Sequence, residues 1–146
     1  MFKSLLVAVD GSEHAKKALR VACELVKNGD AKLHILHIPE RLAHETTLVW
    51  GIGAVPLEAS PEDIETAGKQ VIEKAKANAQ ELGATQIETH LGQGDPARII
   101  LNEAEKLGVD AIVLGSRGLG DLAGLIMGSV SHKVTHSAKC TVVTVR

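Results

Sequence analysis

The run D-A-I-V-L-G-S-R-G-L-G-D-L-A-G-L-I-M-G-S-V-S-H-K-V over residues 110–134 holds the residue types and spacing best suited to chemistry. An apolar segment, 111–114, feeds a glycine-rich loop, and a helix opens at Gly128 and Ser129. A strand that hands such a loop to a helix leaves backbone N–H groups pointing outward, where the helix macrodipole favours negative charge. Gly115 and Gly118 let bare backbone come close to a ligand. Ser129 either caps the helix or turns its hydroxyl towards a phosphate oxygen. The expectation is a nucleotide-phosphate site. A plain connector uses the same residues, since glycine loops commonly follow strands and a serine at a helix start is ordinarily a cap.

The elements that must position this loop follow from periodicity. Residues 5–9 (L-L-V-A-V) form a short continuous apolar run, as in a strand covered on both faces. It ends at Asp10-Gly11-Ser12, with Ser12 as helix N-cap. The next helix repeats Ala15, Ala18, Leu19, Ala22, Leu25 and Val26 and stops near Gly29. Residues 33–38 are the second strand, and residues 39–59 show no clean period. Ser60-Pro61-Glu62-Asp63 restarts helix with serine at the N-cap and proline at N1. Its inner face is Ile64, Ala67, Val71, Ala75, Ala79 and Leu82, and Gly83 closes it. Residues 86–91 alternate as an edge strand, with Ile87, Thr89 and Leu91 on one side. Asp95-Pro96 opens a third helix through Ile99, Ile100, Ala104 and Leu107 to Gly108. After the strand at 111–114 and the loop come a helix from 129 to about 137 and a last strand, 141–145.

Five strands alternate with four helices, which calls for an open parallel α/β sheet with helices on both faces, a Rossmann-like layout. The two most apolar runs belong in its middle and the alternating one at an edge. The order 3-2-1-4-5 satisfies this and sets a switch point between strands 1 and 4. Ligands in such sheets bind at the carboxyl ends of the strands beside that point. Asp10 ends strand 1 and Gly115 ends strand 4, so topology and loop pattern nominate one crevice.

Composition narrows the function classes. The length suits one domain over residues 1–146, with 45% hydrophobic and 23% charged residues, as in ordinary globular chains. A net charge of −2, one Phe, one Trp and no Tyr disfavour nucleic acid. No apolar run approaches membrane-spanning length and the N-terminal residues carry no cleavable signal pattern, so the expected compartment is the cytoplasm. Cys23 and Cys140 lack metal-ligand spacing and read as buried free thiols. His132 and His136, at i, i+4, have zinc-compatible spacing but no evident third ligand and read as a solvent-facing pair. His34 and His37 fall on opposite faces of their strand, so they share no local site. The isolated His14, His44 and His90 carry no signal.

The loop G115-S-R-G118, nine residues, then G128-S129 resembles the G-x-x-G-x9-G-S/T signature of the ATP-binding branch of the universal stress protein family. The start L-L-V-A-V-D-G-S, the segment G-Q-G-D-P-A-R-I-I and the end C-T-V-V-T-V are similar too, leaving only 39–59 unmatched. The resemblance implies an ATP-binding, usually dimeric cytoplasmic protein tied to stress or metabolic responses, with Mg (or Mn) accompanying the nucleotide. It implies that Asp10 contacts the adenosine moiety or a nearby metal, that Ala8 and Ile38 line the adenine pocket, and that Gly115 sits by the ribose. It further implies that Gly118, Gly128, Ser129 and Val130 hold the phosphates through backbone N–H groups, with Ser129 adding its hydroxyl. Ser131 joins them because its hydroxyl falls in the same first helical turn. Asp10 alternatively only caps the D-G turn, and Arg117 either reaches a phosphate or is solvated.

Absences bear on mechanism. There is no G-x-x-x-x-G-K-[ST], so the lysine that normally faces the β/γ-phosphates is missing, and fast phosphoryl transfer is not expected. Binding with little or no turnover is the leading expectation. The alternatives are a slow ATPase or nucleotidyl-transferring enzyme, or a binder of another adenine nucleotide such as cyclic AMP. The final strand, Thr141–Val145, is a short apolar edge that invites pairing with a second copy, and the resemblance implies a homodimer through it. The apolar run at 48–52 is a packed stretch, a lid or a site for an unidentified protein partner.

Overall fold

Five successive apolar side chains in the first strand have to be covered from both sides, and the fold is built to do this. The computed structural model describes residues 2–42, 55–117 and 127–146. In chain order the elements are β1 (Ser4–Val9), α1 (Glu13–Val26), β2 (Lys32–His37), β3 (Arg41–Leu42), β4 (Val55–Pro56), α2 (Pro61–Glu81), β5 (Ile87–Leu91), α3 (Pro96–Leu107), β6 (Ala111–Gly115), α4 (Ser129–Ser137) and β7 (Thr141–Val145). The main sheet runs β5-β2-β1-β6-β7 with every pair parallel. That is the order 3-2-1-4-5 expected from the sequence, with the alternating strand at one edge and Thr141–Val145 at the other.

Alternation along β1 and β2 divides the core into two layers. Leu5, Val7, Val9, Leu33 and Ile35 face α1 and α2, where Ala18, Leu19, Ala22, Ile72, Ala75 and Ala79 cover them. Leu6, Leu36, Ile112 and Leu114 face α3 and α4, under Ala97, Ile100, Ala104 and Val134. Small residues on the helices let their backbones sit close to the sheet, while the strands supply the bulk. At roughly 1.5–3 kcal/mol for each large apolar side chain buried, these two layers dominate the stability of the fold.

The helix starts form where the capping residues place them. Ser12 accepts from the Ala15 amide and Ser60 from that of Asp63, with Pro61 in the first turn of α2. Asp95 accepts from the Arg98 amide, and α3 stops at Gly108 in the left-handed conformation. Four local expectations change. Gly68 and Ile72 are buried in α2, while Ile64, Ala67 and Leu82 are only half-buried. Leu91 is 40% exposed, although it lies against Gly68, where a Cβ would stand 2.9 Å from its Cδ1. Cys140 precedes β7 and is half-buried, whereas Cys23 is buried, and both are free thiols. The aperiodic segment 39–59 contributes a small parallel pair, Arg41–Leu42 with Val55–Pro56. The run at 48–52 lies outside the described residues. Among those described, no helix is long and apolar enough to cross a membrane.

Candidate functional site

Strand pairing creates the crevice. β1 stays paired with β2 as far as Val9–His37, and β6 stays paired with β7 as far as Gly115–Val145. The pairing between β1 and β6 ends earlier, at Val7–Val113. Beyond that point the two central strands part, because their chains leave for helices on opposite faces. A cavity of about 160 Å³ opens at the parting, against roughly 10–15 Å³ for a single water, so it has room for an organic ligand.

The cavity has two unlike walls. Ala8, Leu36, Ile38, Ile100 and Leu114 make an apolar side. Asp10, Glu40, Arg117 and the first turn of α4 (Ser129, Val130, Ser131) make the polar side. Gly115 also lines it. Of the residues nominated from sequence, Ala8, Asp10, Ile38, Gly115, Ser129, Val130 and Ser131 are thus gathered in one place, and Gly128 adjoins them as the N-cap of α4. Gly118 lies outside the described residues, as do Gly120 and Gly124.

The local hydrogen bonds correct several assigned roles. Gly128, not Ser129, is the N-cap, with extended φ −77° and no side-chain cap bond. Its amide donates to the Ser116 carbonyl, so this N–H is engaged within the protein. The Ser131 hydroxyl, on a residue only 2% exposed, donates to the same Ser116 carbonyl at 2.7 Å, with the Gly128 carbonyl at 3.1 Å. It fastens α4 to the end of β6, so its hydrogen is engaged within the protein although the residue lines the cavity. The helix's first internal bond runs from the His132 amide to the Gly128 carbonyl, which leaves the Val130 and Ser131 amides ahead of the intrahelical ladder. The turn after β1 is equally built. Asp10 Oδ1 accepts from the Ser12 amide at 2.9 Å, closing an Asx-type turn around Gly11, whose φ of 88° favours glycine. The D-G turn reading of Asp10 therefore holds for one carboxylate oxygen, while the residue also lines the cavity.

Sequence reasoning missed His14. Its Nδ1 lies 3.2 Å from Ser116 Oγ and its Nε2 lies 3.3 Å from Arg117 Nη2. Arginine has only donors, so Nε2 accepts and Nδ1–H donates to the serine, an assignment made from the network. His14 thereby holds Arg117 at the polar wall. It can do so because Gly115 brings α1 against β6: a Cβ at 115 would sit 2.7 Å from His14 Cβ and 2.8 Å from its backbone carbonyl carbon. Leu36, Glu40, Pro96 and Ile100 also line the site unannounced. Only the topology, which sets the ends of β2 and α3 beside β1, could have flagged them.

The profile of the universal stress protein family matches residues 1–146. The chain belongs to the universal stress protein family. A universal stress protein of Bacillus subtilis (YxiE) is 41% identical over 149 residues, covering all of both chains. One from Thermus aquaticus is 37% identical over 150 residues, again end to end. Among solved structures, universal stress protein UspA from Lactobacillus plantarum superposes with a TM-score of 0.77 at 22% identity, covering 99% of this chain and 97% of the other. A universal stress protein in complex with cAMP gives 0.73 at 24% identity, covering 99% and 97%. The Archaeoglobus fulgidus protein in complex with dAMP gives 0.71 at 23%, covering 98% and 97%. These structural likenesses establish the universal stress protein fold.

Proposed function

We propose that the cleft between β1 and β6 binds an adenine nucleotide, with ATP accompanied by Mg²⁺ (or Mn²⁺) as the preferred form. The chain then acts as a regulatory module in stress or metabolic responses, with little or no turnover. The observation that carries this reading is the pairing of an apolar wall with a helix N-terminus in one cleft. Ala8, Leu36, Ile38 and Ile100 suit a purine ring, while the Val130 and Ser131 amides and Arg117 suit phosphate oxygens. The residues also suit a divalent ion. Asp10 would repel a polyphosphate directly, and Mg²⁺ is commonly held by one or two carboxylates together with substrate phosphates. Bound there, the ion would supply charge neutralisation between Asp10 and the phosphates. Gly118 and the Ser129 hydroxyl complete the phosphate side of the proposal, and Gly128 serves it by setting the start of α4.

A regulatory nucleotide site needs a readout, and the exposed edge strand supplies one. We take β7 as the seam of a homodimer: Thr141 and Thr144 are exposed and Val142, Val143 and Val145 only half-buried in a single copy.

The structural neighbours that carry cAMP and dAMP support a second reading, in which a monophosphate is the ligand. A competition series with ATP, ADP, AMP and cyclic AMP separates the two. Triphosphate preference is expected, because α4 amides and Arg117 beyond the first phosphate are wasted on AMP. Equal affinity for AMP or cyclic AMP would support the second reading. Phosphate or AMP release faster than buffer, abolished by Ser129→Ala, would make the chain an enzyme instead.

A further inference from the structure

We propose that His34, Glu88 and His90 form a binding site for a divalent transition-metal ion of the zinc class on the β2–β5 edge of the sheet. The register builds it. His34 is the direct neighbour of Glu88 across the β2–β5 pair, and His90 lies two residues beyond Glu88, hence on the same face. The His34 Nδ1 and His90 Nε2 atoms are 2.9 Å apart, and His34 Nδ1 is 3.3 Å from Glu88 Oε2. One ligand atom from each of the three residues lies within 4.8 Å of the others. Two ligands of a tetrahedral zinc, each about 2.0–2.1 Å from the ion, stand roughly 3.3 Å apart. Two of the three donor pairs are therefore close to coordination spacing, with His34–His90 needing to open slightly, and the third lies within 4.8 Å.

The surroundings favour an ion over a simple hydrogen-bonded cluster. His34 is 4% exposed, so packing fixes its ring in one orientation. Lys32 Nζ holds Glu88 Oε1 at 3.1 Å, which orients the other oxygen towards the imidazoles in the manner of an outer-shell partner. Glu88 is exposed and His90 half-buried, so the edge gives an ion a way in and leaves a coordination position for water. Two imidazoles with one carboxylate suit zinc, nickel or copper better than magnesium or calcium. On binding, the ion takes the place of the hydrogen bond between the two ring nitrogens, and the ring that donated it carries its proton on its other nitrogen, so both imidazoles stay neutral. The site differs from the cleft in ligands and chemistry, and the His132/His136 pair, both exposed on α4, provides an internal control.

Titration of the full chain with Co²⁺, without nucleotide and followed by visible absorption, tests the site. One ion per chain is expected, with the intense bands of a four-coordinate centre, and zinc should displace it. His90→Gln and Glu88→Gln should each weaken binding by at least about tenfold, while the double variant His132→Gln/His136→Gln should bind as wild type does. Glu88 is exposed, so Glu88→Gln keeps the test decisive even if His90→Gln fails to fold. Absence of such bands at millimolar cobalt, cobalt affinity in Glu88→Gln equal to that of wild type, or bands lost only with the α4 pair would each overturn the proposal.

Discussion

Gly115 and Ser131 show how single residues shape the cleft without touching a ligand through their side chains. At Gly115 even a methyl group meets the backbone of His14 at 2.8–3.0 Å, and backbone cannot swing aside as a flexible side chain can. Gly115→Ala is therefore expected to lower stability by about 1–3 kcal/mol, the usual cost of overpacking, and to push His14 and Arg117 off the polar wall. Urea unfolding checks the first effect. Ser131→Ala removes a buried donor from the Ser116 carbonyl, but that carbonyl keeps the Gly128 amide. A loss of about 1 kcal/mol is expected by chemical denaturation, with nucleotide affinity nearly unchanged because the backbone amide at 131 stays. A large loss of affinity in a well-folded Ser131→Ala protein would return the hydroxyl to the binding site.

At the scale of elements, what parts β1 from β6 is as important as what pairs them. At the opposite end the strands are pinned: the Asp110 carboxylate accepts from the Lys3 and Ser4 amides at 2.7 and 3.0 Å, and the Asp110 amide donates to the Ser4 carbonyl. Closed at their start and open beyond Val7–Val113, the strands can diverge only where the cleft is needed. The far edge, β7, makes a separate prediction. Thr144 is exposed, and a charge on an edge strand opposes pairing with a second copy. With β7 as the proposed homodimer seam, Thr144→Lys should shift sedimentation towards monomer and change monomer stability by less than about 0.5 kcal/mol. A wild-type chain that sediments as a monomer, or a dimer unaltered by the substitution, would contradict the proposed seam. The apolar runs, the capping serines and the Gly-terminated helices made the main elements and their order legible, because each depends on local periodicity or on one side chain bonding its own neighbours. His14, the role of Ser131 and the His34–His90 pair were not legible. Their partners are 102, 15 and 56 residues away in sequence, and only strand register and helix docking bring them together.

For the molecule as a whole, the buried histidines tie stability to pH. His37 donates from Nδ1 to the Val9 carbonyl at 2.7 Å, and burial holds it below its ordinary value of 6.5 despite opposing contributions from that bond and Asp10. A depressed histidine means the unfolded chain binds the proton more readily, so stability rises with pH across this window. The contribution is complete above about pH 6.5 and is lost as pH falls from there towards the lower folded value. His34, also depressed, adds in the same direction. The urea midpoint should therefore fall between pH 8 and pH 5.5, and fall less steeply in His37→Gln. A flat profile would show that the rings are not held neutral by the fold. The central claim is that one cleft, apolar on one wall and amide-lined on the other, takes a nucleoside polyphosphate. Calorimetric titration of the intact chain with Mg²⁺–ATP tests it most directly. Saturable binding of one nucleotide per chain, weakened by Arg117→Ala, is the predicted result, and no binding at millimolar nucleotide would contradict it.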